Sequence, residues 1–258
     1  MLTMGSLFDG IGGFPLAAVR HGIVPLWASE IEAFPIEVTK LRFPGMVHVG
    51  DITKLNGAEL PPVDIVCGGS PCQDLSVAGA RAGLAGARSG LFMEQIRIVK
   101  EMRNADLQRG RAAHLIRPRI LVWENVPGAF SSGEPKGEDF RIVLEEIVRI
   151  KCDTDPVPRP DAGKWEPAGG IQVGTDFSLA WRVLNAQHWG VAQRRRRIFL
   201  VADFGGLAAP EILFEFEGLR WYPQTLDGAW ERAAAAAQDG ADAAGWVIPG
   251  EINGGSGE

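Results

Sequence analysis

Four short runs in this 258-residue sequence combine residue types that can do chemistry. The run GGSPCQDLSVAG (68–79) sets Cys72 just beyond an apolar stretch, behind two glycines and a proline. Pro71 has no backbone donor and restricts Ser70 toward extended geometry, so the position of Cys72 is largely prescribed. A free thiol is only about a tenth ionised at roughly pH 7.5, so a nucleophilic cysteine needs amide donors or positive charge beside it. A Gly/Ser-rich loop offers the amides. Cys67, inside the apolar run VDIVC, and Cys152 read instead as structural thiols.

The run WENVPG puts Glu124 and Asn125 at the end of the apolar stretch ILVWEN. A partly shielded glutamate with a raised pKa can donate a proton if its cleft also holds a nucleophile; otherwise Glu124 caps the segment that follows. In QRRRRIFLV, Gln193 precedes four arginines. Alternate side chains of an extended segment point opposite ways, so Arg195 and Arg197 share a side with Gln193, and Arg194 and Arg196 take the other. One side can reach a cleft and the other can meet phosphates; a solvated face is the plain alternative.

The fourth run is FDGIGG (8–13). Its glycines, Gly10, Gly12 and Gly13, would let the backbone approach a ligand at a helix N-terminus. Glu30 follows 17 residues after Gly13, at the end of the next apolar run, where a carboxylate can accept two ribose hydroxyls. Asp51, after a third run, adds an acceptor suited to an adenine amino group. A bare structural turn and a nicotinamide or flavin nucleotide site compete for the same features.

The elements that must position these residues alternate in type. Short apolar runs at 4–8, 24–28, 47–49, 63–69, 120–125, 177–184 and 198–204 read as strands, and 14–21, 91–103 and 141–149 have helical spacing. Residues 153–170 read as a Pro/Gly-rich loop. The alternation predicts an α/β fold with a mainly parallel sheet and helices on both faces. Beyond Phe204 the character changes. AWERAAAAAQDGADAAGW reads as one Ala-rich helix and the last nine residues as disordered, so we expect a catalytic domain over 1–205 and an acidic Ala/Gly-rich tail over 206–258.

The formal charge of −6 is a property of that tail. Residues 1–200 carry 24 Lys/Arg against 22 Asp/Glu, whereas 201–258 carry 2 against 10. The first part therefore remains open to a nucleic acid, and the tail would repel one. Three cysteines make no disulfide scaffold, and no Cys/His cluster has zinc-ligand spacing, so no metal is expected. With neither a basic leader nor a long apolar run, the expected location is the cytoplasm.

Taken in order, FDGIGG, GSPCQDLS, ENVPG and QRRRR resemble the DNA (cytosine-5)-methyltransferase family over residues 4–204. The resemblance implies a Rossmann-like fold dependent on S-adenosylmethionine, double-stranded DNA as partner, and methyl transfer to C5 of a flipped cytosine, in the setting of restriction and modification. It implies Cys72 as nucleophile, Glu124 as the cytosine-binding acid with Asn125 as its orienting neighbour, and Arg195 and Arg197 as the arginines of Q-x-R-x-R. Phe8, Asp9, Gly10, Ile11, Gly12 and Gly13 would form the cofactor loop, Glu30 with Ile31 the ribose site, and Asp51 with Ile52 the adenine site. Pro71 and Leu91 would complete the pocket. Residues 73–90 resemble the family's mobile catalytic loop, with Arg81 and Arg88 able to meet phosphates.

The family pattern continues into a target-recognition region and a final helix that closes the cofactor pocket; neither is found in 205–258. A second chain supplying that half, or a fragment inactive alone, is therefore one alternative, and a non-catalytic DNA-binding relic is another. A dinucleotide-dependent oxidoreductase could use the glycine turn and Glu30, but gives Cys72, Glu124 and the arginines no joint task.

Overall fold

The computed structural model describes residues 1–71, 90–152, 156–160, 163–190 and 192–214. Cys72, nearly all of the loop expected at 73–90 with Arg81 and Arg88, and the Ala-rich helix and terminal stretch expected beyond 214 lie outside the described residues.

Eight strands form one sheet in the order β3-β2-β1-β4-β5-β8-β7-β6. They are β1 (Thr3–Leu7), β2 (Val24–Ser29), β3 (Val47–His48), β4 (Ile65–Gly68), β5 (Ile120–Asn125), β6 (Ala168–Val173), β7 (Phe177–Asn185) and β8 (Arg196–Asp203). The strands from β3 to β5 pair parallel, while β8 is antiparallel to both β5 and β7, and β6 is antiparallel to β7. The helices are α1 (Gly13–Arg20), α2 (Ala33–Arg42), α3 (Leu91–Gln108), α4 (Glu138–Val148) and α5 (Ala209–Leu213). The sheet is thus Rossmann-like and largely parallel, with an antiparallel flank.

Strand alternation sorts the core into two layers. Leu7, Trp27, Val66, Leu121, Trp123, Leu179 and Leu200 face α3 and α4, whose apolar stripe (Phe92, Ile96, Val99; Phe140, Val143, Ile147) closes over them. Met4 and Cys67 meet Ala18 of α1 on the opposite side, and Ala180 and Val201 meet Ala209 of α5 there. Aromatic rings fill the first layer: Trp123 stands edge-on to Phe92 at 5.8 Å, and Phe140 to Trp181 at 5.6 Å.

Seven of the eight strands coincide with the apolar runs. The eighth corrects the sequence reading: β6 begins at Ala168, inside the expected loop, and runs to Val173. AGGIQV carries a weak strand signal because two of its residues are glycines. A Cβ on Gly169 would lie 2.2 Å from the Trp181 ring, so the pairing with β7 needs the residue that propensity counts against it. No helix among the described residues is long and apolar enough to cross a membrane.

The same device operates in β1. Trp27 is fully buried, its indole donates to the Pro61 carbonyl at 2.9 Å, and its ring occupies the place where a Gly5 side chain would be, 2.1 Å from an ideal Cβ. Gly5→Ala should therefore destabilise the domain by about 1–3 kcal/mol through overpacking. That corresponds to a drop of roughly 2–4 °C in Tm per kcal/mol for a domain of this size. Thermal unfolding followed by circular dichroism checks it; an unchanged Tm contradicts this packing.

Candidate active site

Strands β1, β2, β4 and β5 deliver their C-terminal ends to one edge of the sheet. Because β8 is antiparallel to β5, with Asn125 opposite Ile198, it brings its first residues, Arg196 and Arg197, to that same edge. The glycine turn, Glu30, the loop after β4, Glu124 and an arginine are thereby gathered along one rim, where open α/β sheets bind ligands.

The loop after β4 is held from the neighbouring strand. Ser70 is buried; its hydroxyl accepts the Trp123 indole N–H at 3.0 Å, and its carbonyl accepts from Asn125 Nδ2 at 3.1 Å. Asn125 in turn accepts the Val126 N–H at 2.8 Å, so its amide orientation is fixed from both sides. Two residues of β5 therefore anchor the backbone directly ahead of Pro71, which is itself exposed, and of Cys72. Between them, Glu124 points to the other face and accepts from Arg197 Nε at 2.9 Å; both side chains are about one-fifth exposed (22% each). Gly69 leaves room for the second carboxylate oxygen: a Cβ there would lie 3.0 Å from Glu124 Oε2.

The glycine turn fits a close-approaching ligand. Phe8, Gly10 and Gly12 all have positive φ (54°, 56° and 83°), and an added Cβ at Gly10 or Gly13 would meet nothing within 4 Å. Glu30 closes the turn, Oε2 accepting the Gly10 N–H at 2.8 Å while Oε1 accepts from Ile31 and Glu32. Asp51 caps its own turn, accepting from the Thr53 N–H and hydroxyl, and these bonds hold its carboxyl below the usual range. Ile52 is buried, and Phe8 and Leu91 pack partly buried against the same core cluster. The Phe8 and Ile52 positions and the N-terminus of α3 thus share one face.

Other site residues stand apart. Asp9 is buried under the turn, one oxygen accepting from the Ser6 hydroxyl at 2.6 Å and Oδ2 without a partner. Burial pushes its carboxyl up to about 6 against the Ser6 bond, and nearby Glu30 adds to the rise. Cys67 lies beside Asp9, and burial pushes its thiol far above the normal range, which suits an inert sulfur. Ile11 and Ile31 are largely solvent-exposed. Arg195 precedes β8, is exposed, and is not brought to Glu124 as Arg197 is; its backbone N–H is held by Asn185.

Arg97 was visible in the sequence only as part of the α3 pattern. It donates to the carbonyls of Ile52 and Leu55 and pairs with Glu94 and Glu101, while Glu101 also accepts the Gly57 N–H at 2.7 Å. This staple fixes the segment after Asp51 to α3. The two carbonyls it holds lie more than 40 residues away in sequence, so no local spacing announces the staple. Among the described residues no group of His, Cys, Asp and Glu could hold a metal ion.

The model of the C-5 cytosine-specific DNA methylase family matches residues 2–150 and 171–216. The chain is 36% identical over 240 residues to a DNA N-6-adenine-methyltransferase of Escherichia phage P1, a match covering 85% of this chain and 31% of that protein. It is 29% identical over 195 residues to the type II methyltransferase M.HhaI of Haemophilus parahaemolyticus, covering 76% of this chain and 47% of that one. The chain therefore spans between about a third and a half of the length of these curated relatives. Among solved structures, a candidate DNA modification methyltransferase encoded within an E. coli prophage superposes with a TM-score of 0.52 at 22% identity, over 88% of this chain and 52% of that one, which is a likeness of fold.

The buried Asp9 predicts a pH dependence. Its carboxyl titrates near 3.8 unfolded and near 6 folded, so between these values the native state holds a proton that the unfolded state has lost. Stability contributed by this group is full below 3.8 and falls as pH rises through 6. Asp9→Asn keeps the acceptor for Ser6 and removes the charge, so its stability advantage over wild type should grow by about 2 kcal/mol between roughly pH 4.5 and pH 8. Urea unfolding at the two pH values measures this; an advantage that does not change with pH contradicts it.

Proposed function

Because the chain belongs to the family of C-5 cytosine-specific DNA methylases, we propose that it transfers a methyl group from S-adenosylmethionine to C5 of a cytosine flipped out of double-stranded DNA. The observation that carries this reading is the pairing of Glu124 with Arg197 beside the Ser70 anchor that leads into Pro71 and Cys72. A carboxylate, a guanidinium and a thiol have a joint task at one rim only if a ring is to be gripped at its edge and attacked from its face.

The chemistry drawn from S-adenosylmethionine, when bound, is an electrophilic methyl group. The chain's part is to make C5 nucleophilic. The Cys72 thiolate adds to C6 while Glu124 passes a proton to N3 and holds the exocyclic amine, so the electron pair of the C5–C6 bond becomes available at C5. After the methyl is taken, the C5 proton passes to water, the C5–C6 double bond re-forms as the Cys72 thiolate is expelled, and the N3 proton returns to Glu124. Arg197 engages Oε1 of Glu124 and fixes the carboxyl plane, which leaves Oε2, beside Gly69, for the base. Extruding the base costs a few kcal/mol, and the loop 73–90 with Arg81 and Arg88 is suited to cover it. Arg195 is available to the DNA rather than to Glu124.

For the cofactor, the open space at Gly10 and Gly13 and the positive φ of Phe8, Gly10 and Gly12 suit a ligand lying on the turn. Glu30 would accept the ribose hydroxyls, Asp51 the adenine amine, and Phe8, Ile52 and Leu91 would enclose the ring. Residues 1–205 form the catalytic domain in this reading. Ile11, Ile31 and Phe34 expose 55%, 68% and 73% of their surface around the turn, which suits a closing wall and a target-recognition region supplied from beyond these residues, by a second chain or by the rest of a longer one. A cytoplasmic location and a role beside a restriction enzyme go with this reading.

The adenine named for the phage relative is not carried over. Methylating an exocyclic amine calls for no thiol attack on the ring, which would leave Cys72 and the Glu124 pair without a purpose, and the match spans 31% of that protein.

Cys72→Ser should lower methyl transfer by several orders of magnitude, because a hydroxyl is far harder to ionise, while Cys67→Ser should retain it. DNA containing 5-fluorocytosine should trap a covalent adduct on Cys72, mapped by mass spectrometry; an adduct on Cys67 refutes the assignment. Glu124→Gln keeps the shape and loses the acid, so kcat should fall at least 100-fold with DNA affinity nearly unchanged. A rate within about twofold of wild type would reduce Glu124 to a structural role.

A further inference from the structure

Beyond Arg182, strand β7 outruns its outer neighbour. β6 starts at Ala168, opposite Arg182, so the last residues of β7 have β8 on one side and, among the described residues, no strand on the other. On that flank lies a hollow of about 460 Å³, lined among others by Arg182, Asn185, His188, Trp189 and Arg196, with no carboxylate among the described residues of its wall. Arg197, the next residue along, is engaged by Glu124, whereas neither Arg182 nor Arg196 has an ion-pair partner among the described residues.

The floor of the hollow is held by its own hydrogen bonds. Asn185 Oδ1 accepts the N–H of Gln187 and of Arg195, the Ala186 N–H donates to the Arg195 carbonyl at 3.0 Å, and Gly190 turns the chain at a φ of 79°. Trp189 stands half-exposed at its mouth, with 51% of its surface accessible. Two unpaired guanidinia, an imidazole and an open indole face suit an anionic, partly planar ligand. The position narrows the choice. Arg196 and Arg197 are consecutive on β8 and take opposite faces, while Arg182, paired with Phe199, shares the face of Arg197 and Glu124, so the hollow wraps the flank of β7 and adjoins the site where Glu124 would hold a base.

We infer that this hollow holds the sugar–phosphate backbone of the DNA beside the target cytosine, with Arg182 and Arg196 on phosphate oxygens and Trp189 against a neighbouring sugar or base. The nature of the partner rests on the methyl-transfer reading; the surface rests on the geometry above. Such contacts set register without reading sequence.

The test measures binding of the full chain to a fluorescein-labelled DNA duplex of about 20 base pairs by anisotropy, over roughly 50–200 mM salt. The Arg182→Gln/Arg196→Gln double variant should bind about tenfold more weakly at the lowest salt. Its slope of log Kd against log salt should fall by nearly 2, since each phosphate contact contributes about 0.9. The Arg182→Lys/Arg196→Lys variant, which keeps the charge, should recover most of the slope, separating lost contacts from misfolding. Arg42→Gln, at the far end of α2, should change neither quantity. A wild-type slope in the double Gln variant overturns the hollow and leaves methyl transfer standing. Absence of DNA binding by the wild-type chain at the lowest salt overturns this inference and the DNA partner together.

Discussion

Strands β4 and β5 run parallel with Gly68 opposite Trp123, and two residues further on the side chains of β5 reach across to hold Ser70. Both of these hydrogen bonds are buried, and the Trp123 indole N–H cannot let go of Ser70 without being left unsatisfied, at a cost of about 1–3 kcal/mol. The constraint decides where the chain leaves the sheet toward Cys72. It also decides how Glu124, which sits between the two anchoring residues, meets Arg197. Glu124 and the exit of the loop toward Cys72 are thus set by one strand, and an error in either would be an error in both.

Glycine at three points is what allows this edge to exist. Gly68 gives way to Gln95, whose side-chain oxygen would stand 2.8 Å from a Cβ there, and Gly69 gives way to Glu124. Gly5 gives way to Trp27, further down the same sheet. Each accommodates a larger partner from a neighbouring element, so the small residue and the large one form a single packing unit.

The parts of the molecule legible in the sequence are those whose cause is local. Short, near-continuous apolar runs mark most of the seven strands because both faces of the sheet are covered, and the spacing of Phe92, Ile96 and Val99 marks the buried stripe of α3. Glu124, Asn125 and the glycine turn could be found because chemistry limits which residue types follow a strand end. β6 escaped because its glycines answer to Trp181 across the pairing, and Arg97 because it acts on carbonyls far along the chain. Sequence pattern treats the arginine run as extended throughout. Only Arg196 and Arg197 belong to β8, so the alternation starts two residues after Arg194, the first arginine of the run, and Arg195 falls outside it.

The direction of β8 also governs traffic along the chain. Every other strand that serves the rim arrives there at its end, whereas β8 departs from it, and its eight residues carry the backbone roughly 26 Å toward the opposite margin of the sheet. Whatever is joined to Phe204 begins its course on the far shore, and a segment that is to help line the rim must first travel back the length of a strand. The five residues of α5 lie against Ala180 and Val201, on the face of the sheet that also carries α1 and the Glu124–Arg197 pair.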